Sequence, residues 1–162
     1  MVKVINAEDK ALDSLNVASR AVYIAVDVLE DTIAAQLGVH RSDLRCLNVL
    51  GKGSLTATEI ARQTGLTSGA VTALIDRLEK ARFVERTRSL TDRRSVVVAI
   101  RPEAYPSISS LYSHIGHALS RQFSASGKSD ITVSTEVLIT FSEACREAVR
   151  TMTKDTQDVQ KD

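Results

Sequence analysis

The feature that most constrains the fold is a pair of short helical segments joined by a glycine in the middle of the chain. The first helix is predicted to begin at the capping box Thr56-Ala57-Thr58-Glu59, whose hydroxyl and carboxylate pair with the unsatisfied amides of a helix start. Gly65 turns the chain because it tolerates a positive φ, and Thr67 or Ser68 caps the second helix. The apolar residues of the second helix recur at helical spacing: Val71, Leu74, Ile75 and Leu78. This arrangement is typical of a helix-turn-helix.

A β-hairpin is predicted directly after the second helix. Two segments rich in β-forming residues, 83–87 and 95–100, flank a turn that contains Asp92, Arg93 and Arg94. A helix-turn-helix followed by such a hairpin is a winged helix-turn-helix, in which the second helix enters the major groove of DNA. The hairpin tip reaches the backbone or the adjacent minor groove, where negative potential favours arginine. The sequence therefore predicts double-stranded DNA as a partner.

The charge distribution agrees with a polyanionic partner. The whole chain carries a net charge of +1. Between Lys52 and Arg101, ten Lys or Arg and five Asp or Glu give a net charge of +5, which leaves −4 for the remainder of the chain. A basic centre between acidic flanks is typical of a nucleic-acid-binding module. The alternative, on charge alone, is a solvated surface with chance clustering.

Long helices are predicted on both sides of this centre. An amphipathic helix over roughly 9–37 has its apolar residues in one stripe and is closed by Gly38, and two more helices follow Pro102. Their apolar stripes offer more area than one small domain can cover, which predicts a homodimer. We therefore assign 1–40 and 102–162 to a helical dimerisation region and 41–101 to the DNA-binding region. The predicted fold class is mainly α with a small β-hairpin wing.

The central segment resembles the MarR family of bacterial transcription regulators. The resemblance runs from residue 43 to residue 100, and its most specific piece is the wing motif Asp92-Arg93-Arg94-Ser95-Val96-Val97-Val98. Arg82 departs from the family, because a glycine commonly stands at this position after the second helix. A non-glycine residue in the left-handed conformation costs about 1 kcal/mol, so the turn is expected to differ here.

The resemblance implies which residues contact DNA. It places Arg93 in the minor groove, whereas Asp92 and Arg94 hold the shape of the wing and reach phosphate. Arg77 is implied to contact the DNA backbone. Four small residues of the second helix are implied to face base edges: Ser68, Gly69, Thr72 and Ala73. Because this face lacks long donors, we expect methyl contacts and DNA shape to outweigh bidentate contacts to guanine.

The resemblance also implies a mode of regulation. A homodimer places two recognition helices about one turn of DNA apart, which calls for a near-palindromic site. Occlusion of a promoter by the bound dimer predicts repression, and in this family a small-molecule effector commonly controls binding. Two alternatives stay open: a winged helix that docks another protein, and a ligand or metal sensor that does not bind DNA.

Other chemistry is not predicted. His114 and His117 share a helix face, but no convincing further ligands accompany them, so neither a metal site nor a cofactor is expected. Cys46 and Cys145 lie on apolar stripes and are predicted to be small buried hydrophobes in a reducing cytoplasm. The chain lacks known catalytic motifs and an apolar run of membrane length, which argues against an enzyme and against a membrane partner.

Overall fold

The structure, a computed structural model, describes residues 7–89 and 94–159, with side chains at 9–89 and 94–153. Its elements in chain order are α1 (Ala7–Leu37), α2 (Arg41–Leu50), α3 (Ala57–Thr64), α4 (Ser68–Lys80), β1 (Val84–Arg88), β2 (Val96–Ile100), α5 (Tyr105–Gln122) and α6 (Lys128–Val159). The predicted fold class, mainly α with a β-hairpin wing, is confirmed. The chain divides into two compact units, whose boundary follows Tyr112 within α5.

The core of the first unit forms around α4. The predicted stripe of this helix is almost completely buried, with Val71, Leu74, Ile75 and Leu78 each at most 1% exposed. The stripe packs against residues from the helices and strands around it: Cys46, Leu47, Leu50, Ile60, Val84 and Val98. The helix-turn-helix and the hairpin therefore share one apolar core, which fixes α4 relative to the wing.

The local signals that predict the helix-turn-helix are confirmed. The Thr56 hydroxyl accepts the Glu59 amide at 3.3 Å, while the Glu59 carboxylate accepts the Thr56 amide at 2.8 Å. The bond from the Thr56 amide, together with one from the Thr56 hydroxyl at 2.8 Å, favours the ionised carboxylate and lowers the pKa of Glu59. Gly65 has a φ of 72°, and the Thr67 hydroxyl caps α4 by accepting the Ala70 amide at 3.3 Å. Helix α3 thus begins and ends, and α4 begins, where the sequence indicates.

The hairpin is a two-stranded antiparallel sheet. Its register pairs Val84 with Ile100 at the base and Arg88 with Val96 towards the tip. The Ser89 amide donates to the Ser95 carbonyl at 2.9 Å, which extends the pairing beyond the strands. Residues 90–93 of the tip lie outside the described residues.

The long first helix begins at Ala7 and ends before Gly38, whose φ is 68°. Only the C-terminal part of its stripe is buried within the chain, where Ile33 and Ala34 are at most 4% exposed. Leu15 and Val22 of the same stripe are exposed. The apolar surface is also wider than the single predicted stripe, since Val17 and Ile24 on another part of the circumference are 70% and 67% exposed. One chain by itself leaves this surface uncovered.

The second unit contains the remainder of α5 and α6. The Asp130 carboxylate accepts the Gly127 amide at 3.2 Å and thereby supports the start of α6. An open apolar groove lies between the two helices of this unit and is lined by residues that include Leu119, Phe123, Ile131 and Leu138. In the part of the chain that the structure describes, none of the helices combines the length and apolar character that crossing a membrane requires.

The turn after α4 corrects the expectation drawn from Arg82. Arg82 adopts the left-handed conformation, with a φ of 63°. Its amide donates to the Glu79 carbonyl at 3.0 Å, and the Phe83 amide donates to the Leu78 carbonyl at 2.9 Å. These two bonds form a Schellman motif, the turn that normally contains glycine. The turn therefore keeps its ordinary geometry, and the shared core around β1 and α4 holds Arg82 in a strained conformation.

Replacing Arg82 by glycine is expected to stabilise the protein. Arg82→Gly should raise the free energy of unfolding by about 1 kcal/mol, because glycine adopts a positive φ without the Cβ clash. Ala81→Gly is the matched control, since Ala81 has a φ of −80° and glycine relieves nothing there. Urea unfolding of both variants and the parent measures the difference. A stability of Arg82→Gly at or below that of the parent would contradict the assignment of strain.

Candidate nucleic-acid interface

The outer face of α4 brings together the four small residues predicted to read base edges. Ser68, Gly69, Thr72 and Ala73 are all exposed, opposite the buried stripe. The Thr72 hydroxyl donates to the Ser68 carbonyl at 3.0 Å, which leaves its methyl group pointing away from that bond. Apart from its two chain neighbours and the backbone of its own helix, no described residue has an atom within 4 Å of the position that a Cβ on Gly69 would take. The face is therefore shallow and open to a large partner.

Arg77 is directed towards the protein rather than along the exposed face. Its Nε donates to Oδ2 of Asp43 at 3.2 Å, and its Nη2 donates to Oδ1 at 2.5 Å. Asp43, in the first turn of α2, has a side chain only 4% exposed, whereas the Arg77 side chain is 45% exposed. The hydrogen bonds to Asp43 raise the pKa of the Arg77 guanidinium above its ordinary value. The sequence motif did not indicate this partner.

A second ion-pair cluster joins α4 to the wing. Arg86 of β1 donates from Nη2 to the Asp76 carboxylate at 2.6 Å and from Nη1 to the Glu79 carboxylate. The Arg86 amide also donates to the Glu79 carboxylate, at 3.3 Å. Asp76 and Glu79 are three residues apart and so share one face of the helix. That spacing is a signal for a common cation, but the sequence does not say which arginine supplies it.

The acidic side chains described in the central segment are all engaged within the protein. Glu59 belongs to the capping box, and Asp76 and Glu79 bind Arg86. Glu85 lies 3.9 Å from Arg101. Most of the basic side chains of the same segment are exposed: Lys52, Arg62, Arg77, Lys80, Arg82, Arg86, Arg88 and Arg94. Because the described basic side chains of this segment outnumber the acidic ones, the net charge of the segment is positive.

The wing residues are described only in part. Arg94 is exposed and immediately precedes the extended segment that leads into β2. Asp92 and Arg93, the residues implied to hold the wing and enter the minor groove, lie outside the described residues. Arg88 is exposed at the end of β1, the strand that also contains Arg86.

The first turn of α2 also holds α1. The Arg41 guanidinium binds Asp27 at 2.9 Å, Glu30 at 2.9 Å and Asp31 at 2.7 Å, and it donates to the Asp27 carbonyl at 2.6 Å. The hydrogen bonds to Asp31 and Asp27 raise the pKa of the Arg41 guanidinium. The three acidic residues lie on the polar side of α1, and their common partner is not evident from the sequence.

A tyrosine of α5 continues this network. The Tyr112 hydroxyl donates to Oδ1 of Asn48 at 2.5 Å, and Nδ2 of Asn48 donates to Glu30 at 3.4 Å. Burial raises the pKa of Tyr112. Polar contacts thereby connect α1, α2 and the start of α5 within the first unit.

The remaining candidate residues are the two histidines of α5 and the two cysteines. His114 and His117 are exposed. Within residues 9–89 and 94–153, no group of three or more His, Cys, Asp or Glu side chains is placed to hold a metal ion. Cys46 is completely buried in the core, whereas Cys145 is only partly buried, and the two form no disulfide. The prediction of a buried small hydrophobe is therefore confirmed for Cys46.

The fold and the face of α4 define a winged helix-turn-helix: two helices joined at Gly65, a recognition helix with an exposed outer face, and a hairpin packed on the same core. Comparison with known proteins agrees, since residues 37–95 match the model of the MarR family. The winged helix-turn-helix is therefore a MarR-family segment, and the resemblance drawn from the motifs is confirmed.

Two relatives from Bacillus subtilis (strain 168) are named as uncharacterized HTH-type transcriptional regulators. YcgE is 48% identical over 73 residues, which are 44% of this chain and 47% of that protein. YfiV is 37% identical over 78 residues, which are 48% of this chain and 49% of that protein. The chain thus spans about half the length of the curated relatives it matches.

Solved structures share the fold. A MarR family protein from Bacillus stearothermophilus has a TM-score of 0.67 at 16% identity, over 85% of this chain and 97% of its own. A MarR family transcriptional regulator from Silicibacter pomeroyi has a TM-score of 0.64 at 16% identity, over 91% of this chain and 99% of its own. At these identities the likeness shows the fold alone.

The buried thiol gives a testable prediction. Desolvation, with a smaller effect of the nearby Asp43 charge, raises the pKa of Cys46 to about 12. At pH 8 about one Cys46 in ten thousand is then a thiolate, the form that reacts. In a Cys145→Ser variant, Ellman's reagent is expected to modify Cys46 only as fast as the protein unfolds, and at once in urea. Rapid modification of the folded variant would contradict the burial of this thiol.

Proposed function

We propose that this protein is a homodimeric transcription regulator that binds a near-palindromic site on double-stranded DNA and represses transcription. The proposal rests mainly on the exposed face of small residues on α4, which is followed in the chain by a hairpin that contains arginine. The described acidic side chains of this segment form hydrogen bonds or ion pairs within the protein. The MarR-family match of residues 37–95 supports the same function.

The recognition helix reads the major groove through its shallow face. Thr72 and Ala73 present methyl groups that fit the thymine methyl, and Ser68 supplies a short hydroxyl. Gly69 lets the backbone approach the DNA closely, since it presents no side chain. With no long donor among these four residues, discrimination depends on methyl contacts and on the shape of the site.

The wing supplies the charged contacts. In this proposal Arg93 enters the minor groove, Arg94 reaches phosphate and Asp92 holds the shape of the tip. The antiparallel register between β1 and β2, extended by the bond from Ser89 to Ser95, supports a hairpin at this position of the chain.

A second copy of the chain covers the apolar surfaces of the long helices. On α1, large apolar side chains are exposed around much of the helix, including Leu12, Val17, Ile24 and Val28. On α6, the exposed set is Ile131, Val133, Val137, Leu138, Ile139, Val149 and Met152. Apolar surface on this scale marks an interface, and a closed two-fold pair covers it with identical surfaces. Such a pair also presents two recognition helices to one duplex.

Control of transcription follows from occupancy of the site. A dimer bound over a promoter excludes polymerase, so the proposed sign of control is repression and the proposed location is the bacterial cytoplasm. A small-molecule effector releases the dimer if it binds the free and DNA-bound conformations with unequal affinity.

DNA binding is tested by selecting bound fragments from a random double-stranded library and titrating the selected duplex at several salt concentrations. We expect a site with dyad symmetry and a slope of log affinity against log salt near −0.9 for each phosphate contact. Arg93→Ala should weaken binding, whereas Arg121→Ala, an exposed arginine in the α5 part of the second unit, should not. No enrichment of any duplex in dilute buffer would refute the function and favour a protein-docking module.

Dimerisation is tested by placing a charge on α1. Sedimentation at micromolar concentration should give a dimer for the parent and a monomer for Ile24→Glu, because a carboxylate buried in an apolar interface without a partner is costly. Asn16→Glu, also exposed on α1, should remain dimeric. A monomeric parent, or equal association of both variants, would contradict the proposed pair.

A further inference from the structure

We infer that Arg77 is a positioning residue, which holds the recognition helix on α2 through Asp43 and does not serve as a phosphate contact. The inference rests on the proposed DNA-binding function and assigns Arg77 a role different from the one that the family resemblance implies. It also gives Asp43, a residue remote from the outer face of α4, a role in DNA recognition.

The environment of Asp43 is the first reason. The carboxylate is almost completely buried, and a buried charge requires a partner. Among the described residues, the other donor to this carboxylate is the Ser42 hydroxyl, at 3.3 Å. If Arg77 moved to a phosphate, Asp43 would keep one weak neutral donor inside the protein. Removal of one partner from such a pair is strongly unfavourable, because the other charge is left uncompensated.

The geometry of the pair is the second reason. Nε and Nη2 of Arg77 bind the two carboxylate oxygens separately, an arrangement that fixes the plane of the guanidinium as well as its distance. Arg77 lies near the C-terminal end of α4, and Asp43 lies near the start of α2. The contact therefore restrains rotation of α4 about its axis, the motion that would turn Thr72 and Ala73 away from the groove.

The position of Asp43 along α2 is the third reason. Arg41, two residues earlier, binds Asp27, Glu30 and Asp31 of α1. One turn of α2 thus holds α1 through Arg41 and α4 through Asp43. Since α1 is a proposed dimerisation helix, the Asp43–Arg77 pair connects the dimer, through α2, to the orientation of each recognition helix.

The salt dependence of binding separates the two roles of Arg77. Loss of a phosphate contact reduces the magnitude of the log–log slope by about 0.9, whereas loss of positioning lowers affinity without changing the slope. We expect Arg77→Ala and Asp43→Asn each to lower affinity for the selected duplex about tenfold with unchanged slopes. The double variant should be no worse than either single variant, because both remove one interaction.

Two further variants sharpen this test. Arg77→Lys keeps the charge but not the two-pronged geometry, so it should bind as weakly as Arg77→Ala if positioning matters. Arg94→Ala, proposed to lose a phosphate contact, shows the slope change in the same titrations. A reduced slope for Arg77→Ala, together with full affinity for Asp43→Asn or Arg77→Lys, would overturn the inference.

Hydrogen exchange on the free protein keeps the inference testable apart from DNA binding. Asp43→Asn is expected to increase exchange of the α4 amides more than that of the α3 amides, and Arg77→Lys should do the same if Asp43→Asn does not fold. Equal exchange in the parent and variant would contradict the positioning role. If the parent itself binds no duplex, the proposed function fails, while the exchange result still decides whether the pair holds α4.

Discussion

The burial of one face of α4 is the constraint on which the rest of the structure depends. Val71, Leu74, Ile75 and Leu78 enter a core that is shared by α2, α3 and both strands. Burying each such side chain contributes about 1.5–3 kcal/mol, so no other orientation of this helix competes. The same burial leaves Thr72, Ala73 and their neighbours exposed, so the face that we propose binds DNA is a consequence of the core.

Ion pairs further restrain the orientation of α4 that the apolar core determines. The apolar stripe determines which face of α4 is buried, whereas ion pairs restrain its angle about the helix axis. Arg77 with Asp43 restrains the helix on the α2 side, and Arg86 with Asp76 and Glu79 restrains it on the wing side. A helix without long donors needs such restraint, because recognition by shape requires a defined position.

Local signals were sufficient to predict the helix-turn-helix from the sequence. The signals are the capping box at Thr56, the glycine at position 65 and the apolar stripe of α4. Each depends on residues that are close in sequence, so each predicts local structure without knowledge of the fold. Arg82 shows where local reasoning is wrong: its intrinsic preference opposes the left-handed turn, but the packing of α4 against β1 imposes that turn. Intrinsic propensity yields when a shared core determines the backbone.

The sequence does not indicate which charged residues form ion pairs with each other. Asp43 and Arg77 are 34 positions apart, and the spacing of neither residue indicates the other. The face of α1 was likewise predicted as one stripe, although apolar residues extend further around the helix. Periodicity identifies which side of a helix is apolar. It does not tell whether that side is buried within the same chain or against a second chain.

In the proposed mode of DNA binding, two copies of the winged segment bind one duplex symmetrically. Hydroxyl-radical footprinting of the complex tests it most directly, because cleavage reports each sugar that the protein shields. We expect two equivalent protected regions related by a dyad, with centres about one helical turn apart and minor-groove protection beside each. A single protected region, or none at protein concentrations that saturate binding, would contradict it.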